Sequence, residues 1–174
     1  MLHLKSLIRD IPDYPKKGII FKDITPLLRD AAGLALAVEI LANPFRGQNI
    51  QAVVGAESRG FIFGTALAQA LSCGFIPVRK PGKLPAAKLT VTYDLEYGTD
   101  TLEIHRDAVT PGQRCLMVDD LLATGGTMRA CCKMVEELGG EVAGIAVLIE
   151  LSFLNPRLHF SKYKVHSVLQ YEKE

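Results

Sequence analysis

A chain of 174 residues is long enough for one substantial core and short for two, so residues 1–174 are read as a single domain. A composition of 48% apolar and 22% charged residues excludes a fibre, a disordered tail and a low-complexity tract. A formal charge of +1 supplies no broad field for nucleic acid or anionic lipid, so neither partner is expected and any anion must be met by a few placed groups.

Met1 to Asp13 mixes charges with apolar residues and lacks the features of a signal peptide, and no segment is apolar for long enough to cross a bilayer. A cytoplasmic setting is the expectation. Leu4, Leu7, Ile8 and Ile11 recur at helical spacing until Pro12 and Pro15 intervene, which predicts a short opening helix. Gly18, the apolar run Ile19 to Phe21, and Thr25-Pro26 read as extended chain followed by a turn. Asp30 is placed to cap a second helix with Leu34, Val38 and Leu41 on one face, ended by Asn43-Pro44.

Strand and helix then alternate. Ala52 to Val54, Phe75 to Val78, Cys115 to Val118 and Val142 to Ile149 are apolar runs without polar alternation. Between them lie helices bearing Phe63, Leu67, Ala70 and Leu71, and Met128, Cys131, Cys132, Val135 and Leu138, the second ended by Gly139-Gly140. Strands of this kind separated by amphipathic helices predict the α/β class, a parallel sheet covered on both faces. From Ala86 to His105 the pattern alternates about a Tyr97-Gly98-Thr99 turn, predicting a projecting β-hairpin. The four cysteines, Cys73, Cys115, Cys131 and Cys132, form no Cys-x-x-Cys pair and read as free, mostly buried thiols.

Chemistry is concentrated in Cys115 to Thr127. A strand carries Asp119 and Asp120 to its carboxyl end, where open α/β sheets bind ligands, and a short loop leads to a helix beginning near Gly125. Gly125 and Gly126 permit close backbone approach, Thr124 and Thr127 add hydroxyls, and a helix start offers free N–H groups. Carboxylates beside a phosphate cradle suit a sugar phosphate. Taken alone, the stretch reads equally well as a capped helix after a Gly-Gly turn. Gly55 to Gly60 has the glycine spacing of a P-loop, but Phe61 stands where its lysine belongs.

Val118-Asp-Asp-Leu-Leu-Ala-Thr-Gly-Gly-Thr127 resembles the motif with which type I phosphoribosyltransferases bind 5-phosphoribosyl-1-pyrophosphate (PRPP). The likeness continues, in the family's order, through Gly18-Ile-Ile-Phe-Lys-Asp-Ile24, Glu57-Ser-Arg-Gly-Phe61, Val78-Arg-Lys-Pro-Gly-Lys-Leu-Pro85, Tyr93-Asp-Leu-Glu-Tyr-Gly98 and Leu102-Glu-Ile104. It is strongest to the members that act on adenine. The resemblance implies that family's fold, a central parallel sheet flanked by helices, with the hairpin as a mobile hood loop and a small N-terminal segment binding the base.

It also implies a Mg²⁺-dependent transfer in purine salvage, by a homodimer, in which adenine displaces pyrophosphate from PRPP to give AMP. Asp119 and Asp120 would hold the ribose hydroxyls, and Ala123, Thr124, Gly125, Gly126 and Thr127 the 5-phosphate. Ser58, Arg59 and Arg79 would meet pyrophosphate, Arg79 in a neighbouring subunit's site. Glu96 would share the purine proton. Phe21 would stack on adenine and Leu151 cover its other face, with backbone groups of Ile20 and Lys22 reading its edge. Mg²⁺ would be held mainly by PRPP and water, with no dedicated protein ligands. Transfer to hypoxanthine, guanine or xanthine, and a non-catalytic PRPP-binding regulator, are the alternatives. Ser152 to Lys164 matches no part of the family pattern, and His159 and His166 read as structural or surface residues.

Overall fold

The computed structural model describes residues 2–94 and 98–173. Leu4 and Ile8 are buried, as the helical spacing requires, but the opening helix α1 (Leu2–Ser6) stops early. Ile11 lies instead in β1 (Arg9–Pro12), which pairs antiparallel with β2 (Ile20–Asp23) so that Ile11 faces Phe21. This ladder, with Arg9 held 2.6 Å from Asp23, satisfies backbone groups that a further helical turn running into Pro12 could not. Asp23 also accepts the Thr25 N–H at 2.9 Å and starts α2 (Thr25–Arg29). The expected turn at Thr25-Pro26 is thus the first turn of a helix, a position where proline's missing N–H costs nothing. Asp30 caps α3 (Ala31–Ala42) as expected, accepting the Gly33 N–H at 2.6 Å, and the helix ends just before Asn43-Pro44.

The remaining elements are β3 (Ala52–Ala56), α4 (Gly60–Ala70), β4 (Gly74–Val78), β5 (Lys88–Asp94), β6 (Thr99–His105), β7 (Arg114–Leu122), α5 (Gly126–Glu137), β8 (Glu141–Leu151) and β9 (Val165–Tyr171). Five strands form one parallel sheet in the order β4-β3-β7-β8-β9, and β5 and β6 make the expected antiparallel hairpin. One face packs Phe63 and Leu67 of α4 with Leu4, Leu27 and Leu41. The other packs Met128, Cys131 and Val135 of α5 with Val91, Leu102 and Ile104, so the hairpin is rooted in the core. Each large side chain buried in this way stabilises the fold by about 1.5–3 kcal/mol.

Strand β9 escapes the sequence reading because its polar residues serve the interior of one edge. Ser167 and Gln170 bond to the buried Glu150, and His166 Nε2 lies 3.0 Å from the Ile40 carbonyl, a structural role. All four cysteines are free, with burial pushing Cys115 up to about 11 and Cys132 to about 12. Because the sheet is parallel, the chain leaves β3 at Glu57, β4 at Arg79, β7 at Ala123 and β8 at Ser152 along a single edge.

Candidate active site

The acidic pair lies inside β7, two residues before its end, whereas the sequence pattern predicts a strand ending there. Strand β8 is long enough to keep pairing: Asp119 is in register with Val147 and Leu122 with Glu150. Asp120 is buried, and its Oδ2 is 2.9 Å from Arg59 Nε. Asp119 Oδ1 accepts the Asp120 N–H at 2.9 Å and lies against the start of α4, where a Cβ on Gly60 would come within 3.1 Å of it. Burial, and then the charge of Asp120, hold the Asp119 carboxyl well above the usual range. Burial raises Asp120 as well, with Arg59 opposing. Such a pair favours any ligand that brings hydroxyl donors or positive charge.

Beyond Leu122 the chain turns through Gly125, whose φ of +87° is strained for any side chain. Gly125 is the N-cap of α5 and no side chain caps it, so the first N–H groups and the positive end of the helix are available to an anion. The loop is packed tightly from two sides. A Cβ at Gly125 would lie 2.8 Å from the Phe160 ring, and one at Gly126 would lie 3.2 Å from the Asp94 carbonyl oxygen. Ser58, Arg59, Asp119, Asp120 and Ala123 to Thr127 together line a cleft of about 330 Å³, joined by Glu57, Lys80, Tyr93 and Leu102.

The basic residues divide. Glu57 binds Lys83 at 2.9 Å, Arg79 at 3.5 Å and the Lys80 N–H. Burial pushes its carboxyl up, and these partners more than reverse that, leaving it below the usual range. Arg79 is not among the residues lining the cleft; its guanidinium lies 5.8 Å from the Phe61 ring centre, and its buried Nε has no hydrogen-bond partner among the described residues. Arg59 reaches both the acidic pair and the N-terminal segment, with its guanidinium 5.2 Å from the Phe21 ring centre.

Phe21 is half-buried and meets Tyr14 edge-on at 5.2 Å. The Lys22 ammonium is committed to Asp10 at 2.9 Å and to the Tyr171 ring at 4.4 Å, which leaves its backbone for recognition. Strand β2 has β1 along one edge only, so alternate residues, either Ile20 and Lys22 or Phe21, aim their N–H and C=O outward. Leu151 ends β8 half-buried, in register with that same Tyr171. Glu96 lies outside the described residues.

The family pattern for a phosphoribosyl transferase domain matches residues 22–169. The chain belongs to the phosphoribosyltransferase family. An adenine phosphoribosyltransferase of Acidobacterium capsulatum is 59% identical over 170 residues, spanning 98% of this chain and 94% of its own. The crystal structure of adenine phosphoribosyltransferase from Thermoanaerobacter pseudethanolicus matches with a TM-score of 0.95 at 53% identity, covering 98% of this chain and 99% of that one. The Saccharomyces cerevisiae adenine phosphoribosyltransferase, solved with D-2,5-dideoxy-2,5-imino-altritol 1,6-bisphosphate and adenine, matches with a TM-score of 0.88 at 39% identity over 97% of each chain.

Three polar residues, Glu57, Lys80 and Tyr93, line this cleft without having been assigned a role from sequence. Glu57 follows β3 directly and Lys80 lies two residues past β4, and position at a strand's carboxyl end was the signal available for them. Tyr93 showed as a position of the alternating hairpin and as the first residue of the family-like run Tyr93 to Gly98, with no role for its hydroxyl. Nothing local reveals that its hydroxyl lies 3.0 Å from Thr127 Oγ1, 34 residues along the chain.

Proposed function

We propose that this protein transfers the phosphoribosyl group of PRPP to adenine, forming AMP and releasing pyrophosphate. The observation that carries this reading is the single cleft that joins the Asp119–Asp120 pair to the uncapped start of α5, with Arg59 linking it to Phe21. Backbone N–H groups of Gly125, Gly126 and Thr127 bind the 5-phosphate, a dianion suited to a helix start. Asp119 and Asp120 accept the ribose hydroxyls, which replace the donors their burial removed. As the bond to pyrophosphate lengthens, positive charge grows on the ribose ring, and the acidic pair stabilises it. Arg59 and Ser58 meet the departing diphosphate.

Among the described residues no group of three or more His, Cys, Asp or Glu side chains is gathered as a metal cage, while the two buried carboxylates offer the hard oxygen donors that Mg²⁺ prefers. The ion would be carried mainly by substrate oxygens and water beside Asp119 and Asp120, and would neutralise charge on the diphosphate. Adenine rests on Phe21 beneath Leu151, its edge met by an outward N–H and C=O of β2. Adenine pairs an amino donor with a ring acceptor, and hypoxanthine presents the reverse, so a buried mismatch leaves polar groups unpaired. The similarity to adenine phosphoribosyltransferases supports that choice of base. Glu96 shares the purine proton.

The protein works as a homodimer in this reading, with Arg79 serving the neighbouring subunit's site as the family resemblance implies. Four free thiols, three of them buried, fit a reducing cytoplasmic setting, and no helix among the described residues is long and apolar enough to cross a membrane. The test is to supply PRPP and Mg²⁺ with adenine, hypoxanthine, guanine and xanthine in separate reactions and to follow nucleotide and pyrophosphate. AMP and pyrophosphate in equal amounts from adenine alone is the expected result. Turnover of a different base overturns the base assignment, and PRPP binding without turnover of any base points to a regulator.

A further inference from the structure

Asp100 does not line the cleft, yet it touches two residues that do. It lies on β6 directly opposite Tyr93 of β5. Its Oδ1 accepts the Thr101 N–H at 2.8 Å, while its Oδ2 accepts both the Lys80 ammonium and the Tyr93 hydroxyl, the latter at 3.1 Å. The same Tyr93 hydroxyl is 3.0 Å from Thr127 Oγ1 in the first turn of α5, and its ring packs 3.4 Å from where a Cβ on Gly126 would sit. One carboxylate therefore ties together the chain leaving β4, the hairpin and the start of α5.

We propose that Asp100 is a positioning residue serving both ends of PRPP: it holds Lys80 toward the diphosphate and, through Tyr93, holds Thr127 and the phosphate loop for the 5-phosphate. This rests on the function proposed above. A free lysine side chain samples many rotamers, and fixing it before substrate arrives removes an entropic cost from binding. The Tyr93 bridge does the same for the loop. The carboxylate stays charged in this role. Burial pushes it up, but Lys80, the Thr101 amide and Tyr93 together leave it below the usual range. Burial chiefly, aided by Asp100, pushes the Tyr93 phenol up to about 12, so it remains a donor at neutral pH.

The two ends can be probed separately with ribose 5-phosphate and with Mg²⁺-pyrophosphate, each titrated calorimetrically against the full chain. Lys80→Met should weaken pyrophosphate about three- to tenfold and leave ribose 5-phosphate unchanged, the loss of roughly one hydrogen-bonded group. Tyr93→Phe should do the reverse by a similar factor. Asp100→Asn should weaken both, with a melting temperature close to that of the wild type. Equal weakening of both compounds by Tyr93→Phe and by Lys80→Met, or unchanged binding in a folded Asp100→Asn, overturns the proposal. Should Asp100→Asn not fold, the opposite selectivities of the other two variants decide it. A wild-type protein that binds both compounds but makes no AMP defeats the base assignment and leaves these variants to judge Asp100. One that binds neither defeats both.

Discussion

The two segments proposed to bind phosphate and base, Ala123 to Thr127 and the strand carrying Phe21, are built in opposite ways. Ala123 to Thr127 is contiguous, follows a central strand, and is wedged between the Phe160 ring and the hairpin, so its backbone is held before any ligand arrives. Phe21 sits on a two-stranded ribbon outside the main sheet, and its ring partners, Tyr14 and Arg59, come from separate parts of the chain. A phosphate presents the same charge and geometry whatever it is attached to, and a fixed cradle suffices. A base must be told from its analogues by a few polar atoms on an assembled surface. Arg59, touching Asp120 and Phe21, is where the two meet.

The contrast can be broken most severely at the carboxylates. Asp120→Asn should lower kcat by about 100- to 1,000-fold, measured by pyrophosphate release, because it removes charge stabilisation that develops only in the transition state. An effect below tenfold would place the acidic pair outside the chemistry. Gly125→Val should come next. It forces a β-branched residue to positive φ and into the Phe160 ring, and should raise the KM for PRPP more than tenfold, on the order of the 1–3 kcal/mol that strain and overpacking cost. The KM for adenine should change little if the two regions act separately.

Phe21→Ala is the reciprocal test. Losing a stacking face should raise the adenine KM by about tenfold and leave ribose 5-phosphate binding unaltered. The smallest effect on activity is expected at the support of the phosphate loop, where Arg157 binds the buried Glu150 through Nε and Nη2, both at 2.8 Å, and anchors the segment carrying Phe160. Arg157→Met should cost about 2 kcal/mol in urea unfolding at pH 7, because a buried charge loses its principal partner. The Arg157 hydrogen bonds, against burial, hold the Glu150 carboxyl below its ordinary value. Its stabilisation is therefore complete above the ordinary glutamate pKa of about 4.3 and is lost as the pH falls through the lower folded-state value. The gap between wild type and variant should close in acid; a gap that persists there would mean packing, not charge, is what Arg157 supplies.

Much of the sheet and the layout of the loop from Ala123 to Thr127 were legible because both are local. Ala52 to Ala56 and Cys115 to Val118 are apolar without alternation, which only a strand covered on both faces requires, and the loop's carboxylates and glycines adjoin in sequence. The misreadings arise where a distant partner decides. Ile11 leaves the helix because Phe21 pairs with it, the acidic pair stays in a strand because β8 extends past Asp119, and β9 hides its polar face against Glu150. Segment 152–164, which the sequence reading left outside the family pattern, falls within the match over residues 22–169, and it packs the Phe160 ring against Gly125. The link from Asp100 through Tyr93 to Thr127 spans two elements and a helix start, and no periodicity encodes it.

The central claim, one cleft with a backbone grip for phosphate and a separate aromatic grip for adenine, is tested most directly by a crystal structure with AMP bound. The account predicts the phosphate on the N–H groups of Gly125 to Thr127, the ribose hydroxyls on Asp119 and Asp120, and the purine stacked on Phe21. A phosphate bound elsewhere, or a purine lying away from β2, would contradict it.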